Sequence, residues 1–417
     1  MIFAFDSVGK FNGLNNFPKD EYSCFGPAPP SLNDLLSKFG KEYTILSSDK
    51  AIESEKNFYY LLETQGPPET WLGTKKNYNN TLLSGVNENI IQATMRGQCK
   101  IILWSCNEGY DPFQYKIFEK IYQELAYYML PPENFIYVSG NLLIDTLHYM
   151  WGKQENVGSI IKCIPFNNEF YDKYNKIQSN VIYDGESKNR DKYFLLLNRA
   201  PRIHRMALIS WLHSENLLEN TLTSFPSEKL APHNFSKDNH LESYFANMLY
   251  VGRNKRTEIF SAWEDLKENH FPLIVDVEEW KTNHYGTSVD WLYNRTFFSV
   301  VTESIFDDVS IFLDEKIWKP IYNYHPFLIL GTPNCLKKLR EYGFKTFEPF
   351  IDESYDLQYH HGKRMKMIIK EISNLTNMEF DELKVWYKNM IPILKHNRGL
   401  LLHDRSLFDN LLKELIR

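Results

Sequence analysis

Glu315 and Lys316 stand side by side in FLDEKIWKPIYNYHPFLILG, residues 312–331. Asp314 before them is a good helix N-cap, so both fall in the first turn of a short helix. A carboxylate there is favoured by the helix dipole and an ammonium is not, so Lys316 needs a reason to be there. Adjacent helical side chains diverge by about 100°, which predicts that the two face different partners rather than each other. Pro320 removes the donor that would bond the Lys316 carbonyl. A solvated helix start is the plain reading. The chemical reading is the gripping end of a ligand site, with Lys319 one turn on counted in the same set.

A second cation cluster lies in YFLLLNRAPRIHRMALISWL, residues 193–212. The apolar strand core 194–197 runs into Asn198 and Arg199, and Pro201 suits the first position of a helix. Ile203, Ala207 and Trp211, with Leu208 and Leu212, give that helix one apolar face. Arg199, Arg202 and Arg205 are spaced by three around its start, against the dipole. A diphosphate would turn the conflict into a binding site by joining the first-turn N–H groups to guanidinium forks. The alternative is a solvated basic turn. Between the two stretches, FFSVVTE (297–303) is a strand that brings Glu303 to the carboxyl edge of its sheet, and a loop with Asp307 and Asp308 follows.

Carboxylates placed to take a proton are found in the N-terminal half. Glu108 and Asp111 follow the strand KIILWS (100–105), Glu63 ends the strand NFYYLLE (57–63), and Asp6 follows IFAF (2–5). Such a residue is more often a helix cap or loop carboxylate than a base, and Glu108 and Glu63 are the stronger candidates for a general base. Ser139-Gly140-Asn141 forms another loop at that edge. In GFKTFEPFIDESYD, Glu348, Asp352, Glu353 and Asp356 could meet hydroxyls of a ligand, and a solvated loop and helix start is preferred. The adjacent His360 and His361 read as an exposed pair and not as a metal site. Gly-x4-Gly-Lys-Ser/Thr, Gly-x-Gly-x-x-Gly, Gly-x-Ser-x-Gly and His-Glu-x-x-His are absent, against phosphoryl transfer by a P-loop, dinucleotide redox chemistry, serine hydrolysis and zinc proteolysis.

The elements that must position these residues alternate along the chain. Strands at 2–5, 42–47, 57–63, 100–105 and 134–140 are separated by helices such as 113–125 and 142–151. The same alternation resumes with strands at 193–198, 271–277, 297–303, 327–331 and 346–350. This is the grammar of parallel α/β sheets. At 417 residues the chain is too long for one core. It is read as two Rossmann-like doubly wound domains facing a cleft, 1–180 and 181–400, with a polar linker at 173–193 and an amphipathic helix at 401–417. The 43% hydrophobic and 24% charged content is that of a globular protein, and the net charge of −6 gives no bulk attraction for nucleic acid. Five scattered cysteines without CxxC spacing predict a reducing compartment and no structural zinc. With no signal peptide and no apolar run of spanning length, a cytoplasmic location is expected, that of a host if the chain is viral.

Residues 297–331 resemble the donor-binding half of GT-B glycosyltransferases, most of all the fucosyltransferase-like group. YFLLLNR (193–199) is similar to the strand before that group's phosphate-binding arginine. The resemblance implies Glu315 on the ribose hydroxyls of a nucleotide sugar, and Lys316 and Arg199 on its diphosphate, with no metal and no further cofactor. Val301-Thr302-Glu303-Ser304 stands where that group reads Phe-Glu-Asn-Ser, so the sugar is left open. Glu303 and Glu315 are twelve apart, not the Glu-x7-Glu of retaining enzymes, and the stereochemistry is left open too. The acceptor implied is a saccharide. Hydroxymethylated pyrimidines of viral DNA are the alternative, for which a basic cleft with Lys75, Lys76, Arg96 and Lys100 would argue. A non-catalytic nucleotide-sugar-binding protein on the same scaffold is the competing reading from another class. Oligomeric state is not legible.

Overall fold

The computed structural model describes residues 1–5, 14–15, 44–64, 68, 72, 82–106, 108–166, 190–228, 241–247, 249–275, 290–403 and 413–414. The chain divides into two compact units, Met1–Asp172 with Phe408–Arg417, and Lys173–Leu407. Among the described residues no helix is long and apolar enough to cross a membrane.

The first unit contains β1 (Ile2–Phe5), β2 (Leu14–Asn15), β3 (Thr44–Ser47), α1 (Ser48–Glu53), β4 (Phe58–Thr64), α2 (Glu88–Met95), β5 (Cys99–Ser105), α3 (Ile117–Tyr127), β6 (Phe135–Ser139), α4 (Ile144–Gln154) and β7 (Lys162–Pro165). Its sheet runs β3-β1-β4-β5-β6-β7, with every pair on this path parallel. β2 pairs antiparallel with the end of β4, Leu14 opposite Thr64 and Asn15 opposite Glu63. From β1 the chain goes to β3 on one side and returns to β4 on the other, so the order reverses between β1 and β4. Strands β5 and β6 are buried on both faces, as their near-continuous apolar runs require. Phe118, Ile121 and Leu125 of α3 and Ile144, Leu147 and Trp151 of α4 pack into one core with Ile101, Leu103, Phe135 and Tyr137. Their i, i+3, i+7 spacing puts each triplet on one helix face. Each such side chain stabilises the unit by about 1.5–3 kcal/mol when fully buried.

The second unit repeats the plan with β8 (Lys192–Leu197), α5 (Ile203–Ser214), β9 (Leu222–Ser224), α6 (Leu241–Asn247), α7 (Arg253–Asp265), a π-helical turn (Leu266–His270), α8 (Asp290–Arg295), β10 (Thr296–Thr302), α9 (Glu315–Tyr322), β11 (Phe327–Leu330), α10 (Cys335–Glu341), α11 (His361–Thr376) and α12 (Phe380–His403). The sheet order is β11-β10-β8-β9, all parallel. Here the reversal falls between β8 and β10. Both units are therefore parallel, doubly wound α/β, and in such sheets ligands bind outside the carboxyl ends of the strands where the order reverses.

Several expectations change. FPLIVDV is no strand over its described part: Leu273 alone bridges Phe225, antiparallel. TFEPF forms turns and no strand. Helix α3 begins at Ile117, four residues late, because Asp111 Oδ1 accepts the Phe113 and Gln114 amides and closes a turn before it. Most of the linker 173–193 lies outside the described residues, and its end is no linker: Arg190 is buried, bonds the Tyr293 carbonyl at 2.6 Å and stacks on Tyr387. Of the helix placed at 401–417, residues 401–403 close α12 and 404–412 lie outside the described residues.

Candidate functional site

At the reversal in the second unit, the strand ends are laced together by polar contacts. Thr302 Oγ1, at the end of β10, donates to Asn198 Oδ1, just beyond β8, at 2.6 Å. The Asn198 amide donates to the Ser224 carbonyl of β9 and the Glu303 amide to the Leu330 carbonyl of β11, both at 2.9 Å. Asn198 and Glu303 are fully buried. Among the described residues, Asn198 Nδ2, Arg205 Nε and both Glu303 carboxyl oxygens find no hydrogen-bond partner of good geometry. Each unpaired buried polar atom costs about 1–3 kcal/mol, and such groups call for an explanation in function.

The helix that follows β8 starts later than its sequence predicts. Its N-cap is Arg202, with extended backbone and no side-chain cap, so Pro201 sits one residue before the cap and not at the first helical position. The Arg202 amide bonds the Ala200 carbonyl at 2.9 Å, so the chain is still in a turn at Pro201. Three side chains at this start hold three consecutive carbonyls of the chain leaving β10. Arg205 Nη2 donates to Thr302 O at 2.9 Å and Glu303 O at 3.1 Å, His204 Nε2 to Glu303 O at 3.0 Å, and Arg202 Nη1 to Ser304 O at 2.7 Å. Burial and the Arg205 charge push the His204 imidazole well below its ordinary range, so it is neutral with the proton on Nε2. Burial and the neighbouring Arg202 lower Arg205 to about 10, where it stays a cation at neutral pH. Arg199 lies half-buried in the turn directly after Asn198.

Across from this start is the N-terminus of α9. Asp314 caps it as its sequence predicts, Oδ1 accepting the Lys316 amide at 2.9 Å, while Oδ2 accepts Ser304 Oγ at 3.0 Å and pairs with Lys316 Nζ. Lys316 Nζ also lies 3.2 Å from Glu315 Oε1. The expectation that Glu315 and Lys316 cannot meet is thus wrong. The four-carbon stem of the lysine folds back over the helix start, where two carboxylates offset both the dipole and its burial. Its side chain is 24% exposed, against 3% for Asp314 and 10% for Glu315. Burial works against the Lys316 ammonium, and Asp314 and Glu315 overcome it and hold it above the usual lysine range. Burial likewise opposes the Asp314 carboxylate, and Lys316 overcomes it and holds Asp314 well below its usual range. Glu303 is the opposite case. Burial, with the Asp314 charge beside it, raises its carboxyl well above the carboxylate range.

The other predicted residues fall as follows. Lys319 is half-buried one turn beyond Lys316. Glu353 and Asp356 are buried and not solvated: Asp356 accepts the Leu336 and Lys337 amides at the start of α10, and Glu353 pairs with Arg340 at 3.0 Å. His360 caps α11 through Nδ1. In the first unit Glu108 is half-buried in the loop after β5, and Gly140 makes room for it, since a Cβ there would lie 2.7 Å from the Glu108 carbonyl oxygen. Asn141 Nδ2 bonds the Tyr110 carbonyl of the same loop at 3.1 Å. Glu63 stands at the carboxyl end of β4, beside the reversal of the first sheet, and its side chain lies outside the described residues, as do Asp6, Lys75 and Lys76. Arg96 is the C-cap of α2, and Lys100 is half-buried in β5.

His204, Thr302 and Ser304 are site residues that the sequence reading passed over. His204 stands between two arginines already singled out, and that was the available signal. Thr302 and Ser304 show their role only once β10 is laid beside β8.

No family model and no curated protein matches the chain. The resemblance of residues 297–331 to the fucosyltransferase-like group thus rests on those residues alone. Among solved structures, the chain is similar to the DNA-modifying enzyme β-glucosyltransferase, whose crystal structure was determined in the presence and absence of its substrate uridine diphosphoglucose. The likeness covers 91% of each chain at 12% identity with a TM-score of 0.35. At that score it decides nothing about the chemistry of this chain.

Proposed function

We propose that the chain is a glycosyltransferase that binds a nucleotide-diphosphate sugar at the β8/β10 reversal and transfers the sugar to a hydroxyl acceptor, a saccharide in the first instance. The observation that carries this reading is the set of groups gathered at one sheet edge: the Arg202, Arg205 and Lys316 cations, two carboxylates in Asp314 and Glu315, the buried Glu303 carboxyl with its raised pKa, and Asn198 Nδ2, which has no partner among the described residues. Arg199 adds a further cation from the adjoining turn. A diphosphate suits this balance of charge, and Asn198 Nδ2 is a donor for it or for the base.

In this reading, donor binding exchanges the Lys316–Glu315 contact for two others, Lys316 to the diphosphate and Glu315 to the ribose hydroxyls. A carboxylate of the first unit, Glu108 or Glu63, takes the acceptor proton as the acceptor oxygen bonds to the anomeric carbon. The bond from that carbon to the phosphate oxygen breaks with its electron pair on the diphosphate, which Lys316 and Arg199 stabilise.

A thermal-shift series with UDP, GDP, ADP, CDP and TDP and their sugars tests the donor site. One of them should raise the melting temperature progressively with concentration. If none does, the donor-site reading fails. Binding without turnover on saccharides or on hydroxymethylated DNA would favour the non-catalytic reading.

A further inference from the structure

At the far end of α5, about 15 Å along the helix axis from Ile203, a second group of side chains comes together. His213, in the last turn of α5, has its Nε2 2.7 Å from Asp265 Oδ2 at the end of α7. His270 Nε2 approaches the same oxygen at 3.3 Å, and the two imidazoles meet edge to face with centroids 5.1 Å apart. Asn269 Nδ2 holds the other oxygen, Asp265 Oδ1, at 2.8 Å.

We propose that His213, Asp265 and His270 form a binding site for a divalent transition-metal ion of the zinc class, which staples the end of α5 to the end of α7. Two imidazoles and a carboxylate are the donor set that such ions prefer, and three protein ligands leave a position for water. The three ligand atoms lie within 4.8 Å of one another. Ligand bonds of about 2.0–2.2 Å place tetrahedral neighbours nearer together than that limit. The side chains are 26%, 44% and 46% exposed for His213, Asp265 and His270, so the rings can turn to close the distance and an ion can enter.

Two further features point the same way. The backbone after α7 passes through a π turn, Leu266–His270, closed by the Phe271 amide on the Leu266 carbonyl at 2.9 Å. Single π turns are rare and frequent at functional sites. Here the turn returns His270 to Asp265, five residues back, where a regular helix would carry it past. Asp265 ends α7 and His213 lies in the last turn of α5, so the site receives the negative ends of two helix dipoles, which favour a cation. Asn269 orients the carboxylate in the manner of an outer-shell partner.

The test is titration of the full chain with Co2+, followed by its visible d–d absorption, and with Zn2+, followed by melting temperature. We expect the absorption to saturate at one equivalent, and Zn2+ to raise the melting temperature. Both effects should be lost in His213→Ala and in His270→Ala, whose circular dichroism should match that of the unsubstituted chain, since both side chains are partly exposed. Absence of saturable Co2+ binding overturns the proposal. So does binding that persists undiminished in the double variant H213A/H270A, which would place the ion elsewhere. The readouts do not depend on sugar transfer, so the staple and the donor site stand or fall separately.

Discussion

Thr302 Oγ1 donates to Asn198 Oδ1 at 2.6 Å, across the point where the second sheet reverses its order. The bond leaves Asn198 Nδ2 as a buried donor with no partner of good geometry among the described residues. Thr302→Val and Asn198→Ala each strand one buried group, so each should cost about 1–3 kcal/mol in urea denaturation. The double variant should cost less than the sum, with a coupling of about 1 kcal/mol. Asn198→Ala should also weaken binding of the nucleoside diphosphate tenfold or more, whereas Thr302→Val keeps Nδ2 and most of the affinity. Strictly additive costs would show that the bond does not couple the two strands.

Lys316 is pinned by Asp314 and Glu315, and this gives it two separable roles. Lys316→Met leaves the buried Asp314 carboxylate without its cation. The lysine is partly exposed, so we expect a loss of about 1–3 kcal/mol, below the range for a fully buried pair. The double variant D314N/K316M removes the stranded charge and should recover much of that stability. Turnover should fall by orders of magnitude in both, because no ammonium remains to receive the leaving diphosphate. Full turnover in K316M would exclude the proposed mechanism, and unrecovered stability in the double variant would exclude the electrostatic account.

Arg205 and Arg202 look alike in sequence and should behave differently. Arg205 is buried and bonds the Ala200, Thr302 and Glu303 carbonyls. Arg205→Met should therefore unfold the unit at markedly lower urea, by about 3 kcal/mol or more. Arg202→Met removes the bond to the Ser304 carbonyl at a half-buried position and should cost less than Arg205→Met, about 1–2 kcal/mol, with its larger effect on nucleotide affinity. Equal stability losses in the two variants would contradict this division.

These contrasts mark what the sequence displays. Strand β10 is an apolar run ending in Thr302-Glu303, and Asp314 is a cap two residues before Lys316, so element type and edge position are legible locally. The fold of the Lys316 stem onto its neighbours is not, because it depends on how deeply the helix start is buried. Asn198 and Thr302 are 104 residues apart, and no local pattern says that β8 and β10 are neighbours. The short strands β7 and β9 carry too few residues for alternation to show. Conversely, FPLIVDV and TFEPF have strand composition, and among their described residues only Leu273 pairs, with Phe225.

Glu303 provides a pH test. Its carboxyl is raised in the folded state by burial and by Asp314, so the fold keeps a proton that the unfolded chain loses near its ordinary pKa of about 4.3. A raised pKa contributes stability that is present below the unfolded value and is lost as pH rises toward the folded one. Glu303→Gln cannot titrate. Its stability relative to the unsubstituted chain should therefore rise with pH from about pH 4.5, by up to about 1.4 kcal/mol per pH unit, and level off above the folded pKa. Asp314 acts in the opposite sense: its depressed pKa contributes stability above the unfolded value of about 3.9 that is lost as pH falls through the folded one. A flat difference between E303Q and the unsubstituted chain from pH 5 to 8 would mean that Glu303 is ionised in the fold.

Gly140 tests the choice of base in the first unit. A Cβ at this position would meet the Glu108 carbonyl oxygen at 2.7 Å and the Cys106 carbonyl oxygen at 3.0 Å, both backbone atoms that cannot turn aside. Gly140→Ala must shift the loop that carries Glu108, at a cost of roughly 1–3 kcal/mol. If Glu108 takes the acceptor proton, G140A lowers kcat through misplacement of the base, and Glu108→Gln lowers it by roughly 10²–10⁴. Neither should change the thermal shift produced by a nucleoside diphosphate if, as proposed, it binds in the other unit. Should G140A and E108Q leave kcat unchanged while Glu63→Gln abolishes it, the base belongs at the end of β4, beside the reversal of the first sheet.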